Sequence, residues 1–204
     1  MKKVLIVFLT LTFTGIIPTS CYLLCPCGCG DKTGGNTFDI IAFELVTNNS
    51  SYIEIDTSKT YEYTDIFKTL NITDRRVISF TSDSPTSLFI TGAMACSPAP
   101  LKAIQSFKEI KIISQSELKL TGENDLILKG QNITDRFVMA HEYESDFQRV
   151  ENFITQNSAI YDYDSHRIRL EVKPFKEVKV KFTMSLLMTD GKTFNFVDQV
   201  MNVK

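Results

Sequence analysis

Three groups of side chains in this 204-residue chain have the types and spacing for chemistry. Cys25-Pro26-Cys27-Gly28-Cys29 packs three thiols into five residues, with Cys21 upstream and Cys96 far downstream. Thiolates bind zinc or copper(I), or oxidise to disulfides. Asp162, Asp164 and His166 alternate in Tyr-Asp-Tyr-Asp-Ser-His, so an extended strand would project all three from one face. That face would be a hard-metal or acid/base cluster; a solvated face or turn ahead of Arg167 is the simpler expectation. His141-Glu142-Tyr143-Glu144 lacks the second histidine that a zincin helix requires.

Other catalytic signatures are missing from the sequence. There is no Gly-x-Ser-x-Gly elbow or phosphate-binding glycine loop, and Cys96 has no flanking nucleophile motif. With only His141 and His166, general-base chemistry centred on histidine has few options. No catalytic, cofactor-binding or metal residue is assigned, and no cofactor is expected. A carboxylate-dependent hydrolase, using Asp162 or Asp164 in a pocket with a second acid, is one alternative. A thiol- or metal-handling protein built on Cys25, Cys27 and Cys29 is the other. Arg167, Arg169, Lys173, Lys179 and Lys181 would form a basic strip if their strands paired, although Glu171 and Glu177 dilute it. The net charge of −2 argues against a nucleic-acid partner.

The N-terminus gives an address. Met1-Lys2-Lys3 precedes an apolar run from Val4 to Ile17, too short for a spanning helix and suited to a signal peptide core. Pro18-Thr19-Ser20-Cys21 then resembles a bacterial lipoprotein signal, in which the cysteine is acylated and becomes the new N-terminus. Ser20 suits the peptidase, whereas Pro18 stands where Leu is usual. The expected organisation is a signal peptide at 1–20, a Cys-rich tether at 21–36 and a folded domain at 37–204. Removing Lys2 and Lys3 takes the net charge from −2 to −4. The expected location is the cell envelope, anchored by lipid at the outer membrane. The lack of an acidic cluster after Cys21 favours a periplasm-facing orientation over the cell surface.

Lipidation of Cys21 leaves Cys25, Cys27, Cys29 and Cys96, an even number in an oxidising compartment. A disulfide between the tether and Cys96 is the expectation. Four cysteines allow three pairings, among which the sequence does not choose.

The remaining pattern is dominated by strand. Phe38–Val46, Tyr52–Ile55, Val77–Phe80 and Ile110–Ile113 read as strands. Ile168, Leu170 and Val172 alternate with charged residues, as do Val178, Val180 and Phe182. One wet and one dry face marks antiparallel sheet. Lys179–Met188 and Thr193–Val203 flank Thr189-Asp190-Gly191-Lys192 and predict a terminal hairpin with a type I′ turn. Ser145 and Gln148 suggest a capping box opening a short helix to about Asn157. Ser82–Pro100 reads as a long loop carrying Cys96. Asn-Ile-Thr-Asp-Arg occurs at 71–75 and again at 132–136, and both copies are expected to be turns. The fold class is mainly β, an antiparallel β-sandwich with one short α-helix.

The Cys-rich CPCGCG start, the strand at Phe38, Ala103-x-x-Ser106-Phe107-x-Glu109-Ile110-x-Ile112 and the final Thr189-Asp-Gly-Lys-Thr-Phe194 hairpin together resemble an uncharacterised Bacteroidetes lipoprotein family. The resemblance implies a lipid-anchored, sandwich-like binding or structural domain and carries no site residues with it. A glycan or protein is the expected partner, besides the membrane. Seven tyrosines keep sugar stacking open; the absence of Trp weighs against it.

Overall fold

The computed structural model describes residues 37–79, 100–156 and 159–204. The chain orders as β1 (Thr37–Asn48), β2 (Phe67–Ser79), β3 (Lys102–Ala103), β4 (Phe107–Ser114), β5 (Leu118–Lys119), β6 (Leu126–Ile127), β7 (Phe137–His141), β8 (Gln148–Arg149), α1 (Val150–Gln156), β9 (Ser165–Leu170), β10 (Val178–Met188) and β11 (Thr193–Val203). A six-stranded sheet runs β3-β1-β2-β9-β7-β8, and a three-stranded sheet runs β11-β10-β4. Except for the parallel β1–β3 contact, every pair in these two sheets is antiparallel. The fold is a β-sandwich. Phe137 meets Phe182 at 5.4 Å and Phe43 meets Phe194 at 5.0 Å across the interior.

Alternation decides which residues fill that interior. In β10, Val180, Phe182, Met184, Leu186 and Met188 are all buried while Lys179 and Lys181 face water. Its partner β11 changes phase midway. Phe194 and Phe196 pack against the core, and so do Met201 and Val203, an odd number of residues further on. A bulge absorbs the difference: Met184 pairs with Phe196 but Phe182 with Gln199. Asp198 takes the left-handed conformation there, at φ 53°. The same phase change turns Gln199 to the side of Phe182.

Several local expectations change. The hairpin forms, but only Gly191 has positive φ, at 90°, and its N–H donates to the Met188 carbonyl at 3.0 Å. The connection is therefore a three-residue loop whose glycine closes it, not a type I′ turn. The helix starts at Val150, because Gln148 and Arg149 pair with Met139 and Val138 at the edge of β7. Backbone pairing at an open edge outcompetes the Ser145 capping box. Tyr52–Ile55 is not a strand. Asn49 Oδ1 accepts the N–H groups of Ser51 and Ile53, each at 3.0 Å, and turns the chain back so that Glu54 makes an isolated antiparallel bridge with Asn48.

The repeated pentapeptide adopts two structures. Asn71–Arg75 lies inside β2, paired along β1. Asn132–Arg136 forms a turn ending in a 3₁₀ segment at Thr134–Arg136, with Asn132 Oδ1 accepting the Thr134 N–H at 3.0 Å. Strand neighbours override the turn preference of the first copy.

Among the described residues, two polar links cross between the sheets. Lys192 of the hairpin tip pairs with the buried Asp39 of β1 and donates to the Ile40 carbonyl at 3.2 Å. Gln105 donates to Asp39 and, at 3.0 Å, to Asp190, while its Oε1 accepts the Ile40 N–H at 3.1 Å. That N–H lies at a register shift of the β1–β2 ladder. The second link is Lys68, whose Nζ donates to Thr47 at 2.7 Å and to Gln199 of the opposite sheet at 2.9 Å.

Candidate functional site

β7 and β9 pair so that His141 stands directly opposite His166. Residues opposed in an antiparallel pair share one face, and their rings come to 5.0 Å. Asp164, two positions before His166, ends the 161–164 turn and projects to the same region. One ligand atom from each of His141, Asp164 and His166 lies within 4.8 Å of the others. The alternation of Asp164 with His166 read from the sequence therefore holds, and the third member is His141. Asp162 goes elsewhere and pairs with Arg75 at 3.0 Å.

The environment of this cluster is mostly apolar. His166 is only 2% exposed. Phe107 and Phe153 meet its ring edge-to-face at 5.3 and 5.5 Å, and Phe153 also covers His141 at 5.1 Å. Burial, with a smaller push from His141, lowers the His166 pKa to about 3, so the imidazole is neutral. Its Nδ1 is buried without a hydrogen-bond partner. Burial raises the Asp164 pKa, and the charges of Asp162 and Glu144 push the same way. The Tyr161 N–H donates to Asp164 Oδ2 at 2.6 Å and orients the carboxylate.

Arg167, the next residue of β9, points to the other face of the sheet. It is not a member of a wet strip: it is 8% exposed, enclosed by the rings of Tyr52, Phe67 and Phe147 at 4.7 to 5.4 Å. Its Nη2 donates to the Glu144 carbonyl at 3.0 Å. Arg169 lies over Phe147 at 4.4 Å. Lys179 and Lys181 belong to the other sheet, and Lys173 approaches Glu62 at 3.8 Å. The basic strip does not form because Arg167 and Arg169 on β9 and Lys179 and Lys181 on β10 belong to different sheets, while Lys173 lies between the two strands in sequence.

Tyrosines accumulate at the same end of β7 and β9. Tyr143, 83% exposed, meets Tyr52 at 6.0 Å, and the Tyr52 hydroxyl donates to the Glu142 carbonyl at 2.6 Å. Tyr163, 64% exposed, stacks on Tyr161 at 5.9 Å with planes 7° apart. Their segments leave β7 and enter β9 side by side, joined by the Glu142 N–H to the Ser165 carbonyl at 2.9 Å. Two clefts lie elsewhere. One of about 280 Å³ is lined by residues including Lys108, Asn132 and Glu151, and one of about 440 Å³ by residues including Ser58, Glu177 and Asn202. Neither contains Asp162 or Asp164. Cys21, Cys25, Cys27, Cys29 and Cys96, with the lipidation and disulfide expectations attached to them, lie outside the described residues.

No protein-family model matches the chain, and no curated protein matches it. Among solved structures it is similar to the Streptococcus agalactiae AgI/II polypeptide BspA C-terminal domain, at 12% identity over 79% of this chain and TM-score 0.27. A second structure, titled BspA_C_mut, matches at the same identity, coverage of this chain and TM-score. The chain spans about half the length of either, 50% and 47%. A TM-score of 0.27 falls short of a shared overall fold, so the β-sandwich rests on the strands described above.

Proposed function

We propose that this chain is a cell-envelope binding domain, lipid-anchored at the outer membrane through Cys21 and facing the periplasm, of the Bacteroidetes lipoprotein kind that its sequence resembles. The observation that supports a binding role is the pair of tyrosine couples at the β7–β9 end. Large rings exposed to water with hydroxyl tips suit recognition, because they bury much area on contact at little entropic cost. Each exposed ring here already rests on a second ring, so its conformation is partly set before a partner arrives.

Crosslinked pull-down from envelope extract, run beside a glycan array, tests the reading. Capture on either that weakens roughly tenfold or more in Tyr143→Ser or Tyr163→Ser supports it, about 1.4 kcal/mol or more per ring. Empty results on both, or capture indifferent to both substitutions, would overturn it. Metabolic labelling with a fatty acid tests the anchor: the label is expected on the wild type and absent from Cys21→Ser. Protease shaving of intact cells tests the orientation, since loss of the protein would place it on the outside.

A further inference from the structure

We propose that His141, Asp164 and His166 bind one divalent transition-metal ion of the zinc class, with a coordination position left open. Two imidazoles and one carboxylate suit zinc and its neighbours, whereas calcium and magnesium require oxygen donors throughout. Three protein ligands are the number that leaves a place for water or substrate.

The geometry is close to what an ion needs. Donors about 2.1 Å from a tetrahedral ion stand roughly 3.4 Å apart. Here the three donor atoms lie within 4.8 Å of one another, so closing on an ion requires movements of about 1 Å. His141 ends a strand and Asp164 sits in a turn, both half-buried, so these two can adjust. His166 cannot, being held between Phe107 and Phe153.

The second observation is the orphaned nitrogen. His166 is almost fully buried and its Nδ1 meets no hydrogen-bond partner. A buried polar atom left unpaired carries a desolvation cost that an apolar side chain at this position would not incur. A buried imidazole beside a second imidazole and a carboxylate is what a metal site requires and a core does not. The surroundings complete it. The Tyr161 N–H orients the Asp164 carboxylate, as outer partners of metal ligands do. Asp162 and Glu144 add negative potential there.

The cysteines are competing ligands, so the test blocks them first. The purified full chain is reduced, alkylated with iodoacetamide, loaded with zinc and dialysed. We expect about one equivalent of zinc to remain, with affinity falling roughly tenfold or more in His141→Ala and in Asp164→Asn. Zinc should also raise the melting temperature of the alkylated wild type, and that of His141→Ala by less. Both substituted side chains are half-buried, and far-ultraviolet circular dichroism establishes that each variant is folded. No zinc retained after alkylation, or retention equal in wild type and both variants, would overturn the proposal.

Discussion

His141 and His166 face each other across the β7–β9 pair with rings 5.0 Å apart, one half-buried and the other sealed beneath Phe107 and Phe153. The sealed partner carries the unpaired Nδ1. Ordinary large-to-small changes of buried side chains cost about 2–5 kcal/mol. His166→Leu should behave differently in metal-free buffer, because it removes an orphaned polar atom along with the ring. Urea unfolding is expected to give a stability within about 1 kcal/mol of the wild type. A loss well above 2 kcal/mol would mean that the ring is an ordinary packed element.

The Asp39–Lys192 pair ties the hairpin tip to the opposite sheet. Lys192→Met leaves the buried Asp39 with Gln105 and Arg76 alone, and should cost about 1–3 kcal/mol by chemical denaturation. The Lys192 contact is also the first cause holding the Asp39 pKa below 3.8. A lowered carboxylate pKa stabilises above the unfolded value and loses that effect as pH falls below it. The variant's deficit should therefore shrink below about pH 4. A deficit that is unchanged at pH 3 would contradict this.

Lys68 titrates in the opposite sense. Burial lowers its ammonium pKa from 10.5 to about 8, and its two hydrogen-bond partners are neutral. Between pH 8 and 10.5 the unfolded chain holds the proton and the folded chain does not. Stability then rises with pH across that window, and the full penalty applies below it. The gain is at most about 3 kcal/mol. Subtracting the pH profile of Lys68→Met from that of the wild type isolates this slope. A flat difference would contradict it.

The repeated pentapeptide supplies a paired test of context. Asn132→Ala removes the acceptor for the Thr134 N–H and hydroxyl and should cost about 1 kcal/mol. Asn71→Ala loses only an exposed contact with Glu44 at 3.2 Å and should stay within about 0.5 kcal/mol. Equal costs at the two positions would show that the turn and strand assignments do not separate them.

What the sequence revealed follows from how far its signals reach. Strict alternation in 177–182 and the Asp190-Gly191 turn are local, and both appear where expected. The phase change of β11 was not read from the run Thr193–Val203: Phe194 and Phe196 lie out of step with Met201 and Val203, and the bulge that reconciles them emerges only in the pairing with β10. Arg167 was not legible. Its alternation with Ile168 and Leu170 looks like a wet face, and only the folding of Tyr52 and Phe147 over it closes that face. The same holds for the candidate site. Asp164 and His166 announce each other at a spacing of two, but His141 joins them through the register of β7 on β9. Asp39, Gln105 and Lys192 meet for a similar reason, across a sandwich whose layers are distant in sequence.

Zinc held by His141, Asp164 and His166 would be located by anomalous diffraction at the zinc edge, from crystals of the alkylated protein grown with zinc. A peak is expected within about 2.0–2.2 Å of donor atoms of all three residues. An empty map between these three residues, with zinc absent or bound only elsewhere, would contradict it.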